Sequence, residues 1–399
     1  MSDVLQPADA AELAAAIGGS EGPLEIVGSG SKREFGRPIN RGRRLDLSRF
    51  AGITLYEPEE LVLTAGAGTP LAALEAALAG SNQMLAFEPP DLGPLYGLPA
   101  GAGTLGGMLA CNLAGPRRLR AGSARDHFLG CIAVNGQGEI FKTGGRVVKN
   151  VTGYDLCKLL AGSFGTLAAM AEATIKLLPA PEHSRTLVLV GLDDEAAVAA
   201  MTRALGSVAE VSAAAHVPAE VSSVLDGAST AAATLLRLEG TSLSVADRMR
   251  LLRRELGDGG EELDEATSLA AWRALRDVAP FQGASNSGEA EAVWRLSVPP
   301  ASGAAVMRAV GGQRHFYDWG GGLIWLALPA EGDAGAARIR AAIAPTGGHA
   351  TLMRAPAALR AAVEVFQPQA PALAALAKRV KESFDPAGRL NPGRMYRGV

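Results

Sequence analysis

The pattern of apolar and polar positions changes character at 179-PAPEH-183. Before it, short apolar runs alternate with Gly-rich turns. Strands are predicted at 24–27, 45–47, 52–57, 61–65 and 170–178, the last against the poor strand propensity of its alanines. Residues 128–134 and 139–142, joined by 135-NGQG-138, predict a hairpin. Helices are predicted at 7–17, at 69–78 and at 154–160. Gly18-Gly19 stops the first, and the second carries Thr69 as N-cap and Pro70 at its first position.

After residue 180 the order becomes strand, helix, strand, strand, helix, strand, ending near Leu263. An interlude helix surrounds Trp272. A similar series then runs from 293 to 353, with strands at 293–298, 315–319, 323–328 and 349–353 and helices at 301–309 and 334–343. Both series match a split βαβ pattern. The fold class predicted is α+β, with two ferredoxin-like halves in the second domain. Domain boundaries fall at 1–180, 181–370 and 371–399, the last a helix and a turn-rich tail, 385-DPAGRLNPGRM-395, returning to the first domain.

Apolar residues make up 48% of the 399 positions, enough for a large core. A net charge of -3 gives no global signal for nucleic acid, so the arginines at 117, 118, 120 and 125 are a local feature. Cys111, Cys131 and Cys157 lack C-x-x-C spacing, which points to a reducing compartment and to buried thiols rather than zinc or iron–sulfur ligation. Neither a signal peptide nor an apolar run of membrane-spanning length is expected. A membrane would be met only through a partner.

Glycine outside a periodic pattern implies positive φ or close backbone approach. The loop 28-GSGSKREFGRP-38 follows an apolar strand, as an anion-binding loop would. It is not a Walker A loop, and Arg33 stands where a dinucleotide G-x-G-x-x-G needs its third glycine. A second cluster, 103-GTLGGMLACN-112, reads as a turn opening a short helix. Together the two loops suit one elongated ligand with a central pyrophosphate; the competing reading is a pair of tight turns. The histidines carry less. His127 and His315 read as packing residues, His315 alternating with Tyr317 and Trp319 on one strand face. His183 and His216 read as surface residues, and His349 is ambiguous. Arg117, Arg118 and Arg120 fit a solvated face, phosphate contact or a partner subunit. The loop 149-KNVTGYD-155, with Lys149, Asn150 and Tyr154, could cover a ligand or be a simple turn.

Residues 103–179, with 45–78, resemble the vanillyl-alcohol-oxidase (PCMH-type) FAD-binding family. GPRRLRAGSARD, GGRVVKNVTGYDL and the closing NPGRM resemble the FAD-binding accessory subunits of bacterial glycolate oxidases within it. The resemblance implies a two-part PCMH-type FAD-binding domain followed by an α+β cap. It implies that Gly28, Ser29, Gly30 and Ser31 form a first pyrophosphate loop. Gly103, Thr104, Gly106, Gly107, Asn112, Gly115 and Pro116 would line the second FAD segment, continued by Gly122 and Ser123. Gly165 and Thr166 would lie near the nucleotide end, and Asn391 would approach the flavin from the tail. Residues 28–36 offer no His or Cys for covalent attachment, so FAD is expected to be non-covalent; with five histidines in the whole chain, no metal site is expected. The catalytic relatives carry a His-rich metal site, and the matching region here, 346-TGGHATLMRAP-356, retains only His349. No catalytic residue is assigned.

The function implied is that of an FAD subunit in a glycolate oxidase complex. The complex would oxidise glycolate or D-lactate to the 2-oxo acid, with a catalytic FAD subunit and an iron–sulfur subunit as partners and a quinone as acceptor. The location implied is cytoplasmic, peripheral to the inner face of the cell membrane through the complex. A self-sufficient flavin oxidoreductase and a non-catalytic assembly subunit are the rival readings.

Overall fold

The computed structural model describes residues 4–39, 42–146, 153–225, 231–283, 290–312 and 314–399. It divides into two compact units. The first comprises Met1–Ala114, Gly122–Ala180 and Pro368–Val399; the second comprises Gly115–Ala121 and Pro181–Gln367.

The first unit opens with β1 (Val4–Leu5), α1 (Ala10–Gly18), β2 (Leu24–Val27) and β3 (Arg43–Asp46). Asp9 starts α1, its carboxylate accepting the N–H groups of Ala11 and Glu12. The strands form a parallel sheet, β1-β3-β2. Next come β4 (Ile53–Glu57), β5 (Val62–Gly66), α2 (Leu71–Ala79), β6 (Gln83–Met84) and α3 (Leu105–Cys111). Past α4 (Arg118–Ala121), which belongs to the second unit, lie α5 (Ala124–His127), β7 (Phe128–Asn135), β8 (Ile140–Gly144), α6 (Leu156–Leu160), β9 (Ala168–Lys176) and β10 (Leu178–Pro179). An antiparallel sheet runs β4-β5-β9-β7-β8, and β10 pairs with β6. Leu13 and Ile17 of α1 meet Leu24, Leu45, Val134 and Leu390 in a buried core, so the C-terminal tail is part of it. Thr69 is not the cap of α2. Pro70 holds that position, and the Thr69 hydroxyl donates to the Gly66 carbonyl at 2.6 Å, closing the preceding turn instead.

In the second unit, β11 (His183–Val190), α7 (Asp194–Gly206), β12 (Ala213–Val217), β13 (Ala233–Gly240), α8 (Ser242–Leu256) and β14 (Glu261–Leu263) form one half. After α9 (Glu265–Arg276), the second half is β15 (Glu291–Ser297), α10 (Gly303–Val310), β16 (Arg314–Asp318), β17 (Leu323–Pro329), α11 (Ala336–Ile343) and β18 (His349–Arg354). α12 (Ala357–Ala362) follows, and α13 (Pro371–Phe384) belongs to the first unit. The strands make one antiparallel sheet, β14-β11-β13-β12-β16-β17-β15-β18. Each half has its strands in the order fourth, first, third, second, read inward from its own edge, which is ferredoxin-like. The halves meet at β12–β16, where His216 pairs with Tyr317.

That seam corrects two expectations. His216 is fully buried rather than on the surface. Its Nδ1 lies 2.9 Å from the Thr234 hydroxyl, and Asp194 receives the Tyr317 hydroxyl at 2.7 Å and faces His315 Nε2 at 3.0 Å. Trp319 does not continue the strand face of His315 and Tyr317. β16 ends at Asp318, and Trp319 turns into the left-handed region with φ +52°. His183 stays part-exposed beside Glu265, and His127 is buried with Nδ1 3.2 Å from the Lys176 carbonyl.

Candidate functional site

A cleft within the first unit encloses about 740 Å³, part of it open to solvent. Two backbone segments build its floor. The loop after β2 supplies Gly28, Ser29, Gly30 and Ser31, and the start of α3 supplies Thr104, Gly106 and Gly107. Gly165 and Asn391 complete the set of sequence-predicted residues that line it.

Local chemistry explains the glycines. A Cβ on Gly28 would stand 2.8 Å from the Thr104 hydroxyl, and one on Gly106 would stand 2.8 Å from Ala67 Cβ and 3.0 Å from its carbonyl oxygen. The Gly106 N–H donates to that carbonyl at 2.7 Å, which holds the turn against β5. Thr104 caps α3, its hydroxyl accepting the Gly107 N–H at 3.3 Å. Gly30 adopts φ +79°, and Ser29 Oγ accepts the Ser31 N–H at 3.4 Å. Among the described residues, the N–H groups of Ser29, Gly30 and Lys32 find no protein acceptor. Such a nest of amides suits an anion.

The tail fixes the opposite wall. Asn391 Oδ1 accepts the Ile26 N–H at 2.8 Å and Nδ2 donates to the Phe164 carbonyl at 2.7 Å. Arg394 donates to the carbonyls of Arg33 and Arg37 at 2.9 and 3.2 Å. Behind them Lys381 Nζ donates to the Thr166 carbonyl, the Asp385 carboxylate and the Leu390 carbonyl at 2.6, 2.6 and 2.8 Å.

The other sequence-predicted residues have other work. Asn112 caps the end of α3, and its Oδ1 accepts the Arg125 N–H at 2.9 Å. Ser123 forms a capping box with Asp126, and Gly122 precedes it with φ +81°. The Gly103 carbonyl accepts the Leu71 N–H at 2.8 Å, and the Thr166 hydroxyl donates to the Ser163 carbonyl at 2.8 Å. Gly115 and Pro116 belong to the second unit. So do Arg117, Arg118 and Arg120, none of which lines the cleft. Arg117 forks onto the Glu239 carboxylate at 3.0 and 2.5 Å, which occupies the guanidinium. Tyr154 is exposed; Lys149 and Asn150 lie outside the described residues.

Sequence reasoning passed over Lys32, Phe35, Cys111, Phe164 and Arg394, which also line the cleft. Lys32 stands two residues after Gly30, where a lysine beside a glycine loop could have signalled phosphate recognition. Its ammonium contacts the Ser31 hydroxyl at 3.3 Å. Burial lowers its pKa, partly countered by Cys111 and Asp91. Arg33 is already forked onto Glu25 at 2.8 and 2.6 Å, and that hydrogen bond raises its pKa. The Cys111 thiol is pushed up to about 11 by burial, so it is protonated at neutral pH.

The chain matches an "FAD binding domain" over residues 2–144 and a "FAD linked oxidases, C-terminal domain" over 363–395. It is 38% identical over 377 residues to "Glycolate oxidase subunit GlcE" of Escherichia coli (strain K12), covering 94% of this chain and 93% of that protein. The chain belongs to the FAD-linked oxidase family. Other relatives of this FAD-linked oxidase match over shorter stretches. "D-lactate dehydrogenase" of Archaeoglobus fulgidus is 35% identical over 158 residues, 39% of this chain and 33% of that one. Among solved structures, p-cresol methylhydroxylase superposes with a TM-score of 0.73 at 14% identity, covering 98% of this chain and 88% of that one. That likeness is one of fold alone.

The cleft fits the cofactor of the family. Bare backbone at Gly30 and Gly107, unpaired loop amides and the Lys32 ammonium suit a diphosphate. No histidine lines the cleft among the described residues, and the cysteine that does is held as a neutral thiol, in keeping with non-covalent FAD.

Proposed function

We propose that this chain is the FAD-binding subunit of a complex that oxidises a small 2-hydroxy acid, glycolate or D-lactate, to the 2-oxo acid. The observation that carries the reading is the near end-to-end likeness to a protein named as a glycolate oxidase subunit. The Gly-lined cleft supports the cofactor part of it. Bound flavin supplies the capacity to accept two electrons as a hydride equivalent.

This chain's own contribution is to hold and orient. Gly28–Ser31, Thr104, Gly106, Gly107 and Gly165 present backbone to the cofactor, Lys32 meets the diphosphate charge, and Asn391 and Arg394 fix the loops. Gly103, Asn112, Gly122, Ser123 and Thr166 support the same cofactor by shaping the turns of the unit that holds it. A second FAD subunit would perform the substrate chemistry, and an iron–sulfur subunit would carry electrons to a quinone. The complex would work in the cytoplasm against the inner membrane face. Among the described residues no helix is long and apolar enough to cross a membrane, and no His, Cys, Asp and Glu group could hold a metal.

An absorbance spectrum of the purified chain, followed by anaerobic glycolate, tests this. The expected result is a flavin band that persists until the partner subunits are added. Bleaching by glycolate alone would make the chain a self-sufficient dehydrogenase. Absence of a flavin band after FAD is supplied would remove the cofactor assignment itself.

A further inference from the structure

The second unit gathers positive charge at one point of its sheet. Trp294 of β15 packs toward α11, its indole N–H donating to the Ala334 carbonyl at 2.9 Å with Arg340 over its ring. Arg295 alternates to the other face. There Ser297, two residues on, pairs with His349 of β18, so Arg295 and His349 are diagonal neighbours on that face. Arg295 Cζ lies 5.0 Å from the centroid of the Trp319 ring. Arg118 Cζ lies 4.5 Å from the same centroid. The segment carrying Arg118 is tied down at two points just before it. Trp319 Nε1–H donates to the Gly115 carbonyl at 3.0 Å, and Arg117 holds Glu239.

The cluster has more positive charge than the carboxylate beside it balances. The Arg295 guanidinium makes no hydrogen bond or ion pair among the described residues. Asp318 is nearby, but its Oδ1 accepts the Trp319 N–H at 2.6 Å. Burial, then Arg118, pushes Arg295 down to about 10, with Asp318 opposing. Burial, then Arg295 and Arg118, holds His349 below the usual histidine range. Trp319 itself is held in the left-handed region, costly for a bulky side chain, with its ring beneath the guanidiniums.

We infer that Arg295, Arg118 and His349, gathered at Trp319 on the second unit's sheet, form a binding site for the carboxylate of a small organic acid. Guanidinium forks match a carboxylate in two hydrogen bonds, and an anion here relieves the mutual repulsion of the two guanidiniums and gives the neutral His349 a reason to take up a proton. The identity of the acid, glycolate, rests on the function proposed above; the existence of the site does not.

The test is an NMR pH titration of His349 in the full FAD-loaded chain, with sodium glycolate, sodium oxalate or inorganic phosphate as probe. Glycolate and oxalate are expected to raise the His349 pKa by about one unit, as an opposite charge at contact distance does. Arg295→Met is expected to abolish the shift. Arg295→Lys and Arg118→Gln, the gentler changes, are expected to raise the half-saturating concentration at least tenfold. A His349 pKa unmoved by either acid while the flavin is reduced by glycolate in the assembled complex would overturn the site and leave the proposed function standing. A shift lost in the variants, with no reduction by glycolate in that complex, would uphold the site and sink the glycolate reading. An equal shift with phosphate would reduce the site to unspecific charge and overturn the carboxylate assignment.

Discussion

Asn391→Ala separates two roles for the tail asparagine, touching the cofactor or pinning the loops around it. The side-chain amide is buried, and both its ends are engaged by backbone, at Ile26 and Phe164. Truncation leaves a buried N–H and a buried carbonyl short of partners, at about 1–3 kcal/mol each. The backbone of Asn391 is left-handed, with φ +40°, which alanine tolerates worse than asparagine by roughly 1 kcal/mol. The expected loss is therefore about 3 kcal/mol or more, and it belongs to the protein without its cofactor. Hydrogen exchange at the Ile26 amide reads it directly. In the apo protein the variant should exchange more than about a hundredfold faster than the parent. If Ile26 exchanges within threefold of the parent while FAD affinity collapses, the amide acts on the ligand and the pinning argument is wrong.

Two glycines of one helix should respond oppositely. Gly106→Ala drives a Cβ into the backbone of Ala67 and should cost about 1–3 kcal/mol in urea denaturation. Gly107→Ala meets only the Thr104 hydroxyl at 3.1 Å and the flexible Lys32 stem at 3.2 Å. It should leave the apo protein as stable or better, while FAD titration shows at least tenfold weaker binding. Lys32→Gln should weaken FAD by about 1.5–3 kcal/mol, the value of a charged hydrogen bond. Because burial lowers the Lys32 pKa in the free protein and a diphosphate would raise it, FAD affinity should fall as pH rises through that lowered value, and this slope should vanish in the variant. Lys381→Met leaves the Asp385 carboxylate buried without its cation and should cost about 3–5 kcal/mol; full stability in thermal melts would refute that.

The alternation of apolar residues was sufficient for the strands of both ferredoxin-like halves, because each is a short local pattern. It failed where a distant partner decides. His216 reads as a surface residue until its strand meets β16, a hundred positions later, and the Tyr317 pairing buries it. Trp319 fits the alternation of His315 and Tyr317 but follows the backbone reversal after Asp318. The arginines after Gly115 sit next to a glycine cluster in sequence, yet Glu239 and Trp319 hold them in the other unit. At the cleft, Gly28 and Gly106 were legible as places of close approach because nothing periodic accounts for them. Lys32 and Arg394 were not, since a lone basic residue in a loop is commonplace and only their neighbours across the fold give them meaning.

The tail has a consequence for how the protein is made. Asn391 meets Ile26 across 365 residues of chain, and Arg394 reaches Arg33 across 361. While the ribosome is still elongating, the first loop exists but its clasp does not. Loading with FAD should therefore wait until residues 391–394 have left the ribosome and folded back onto that loop. A chain that stops before Asn391 would have both glycine loops intact and no durable hold on its cofactor.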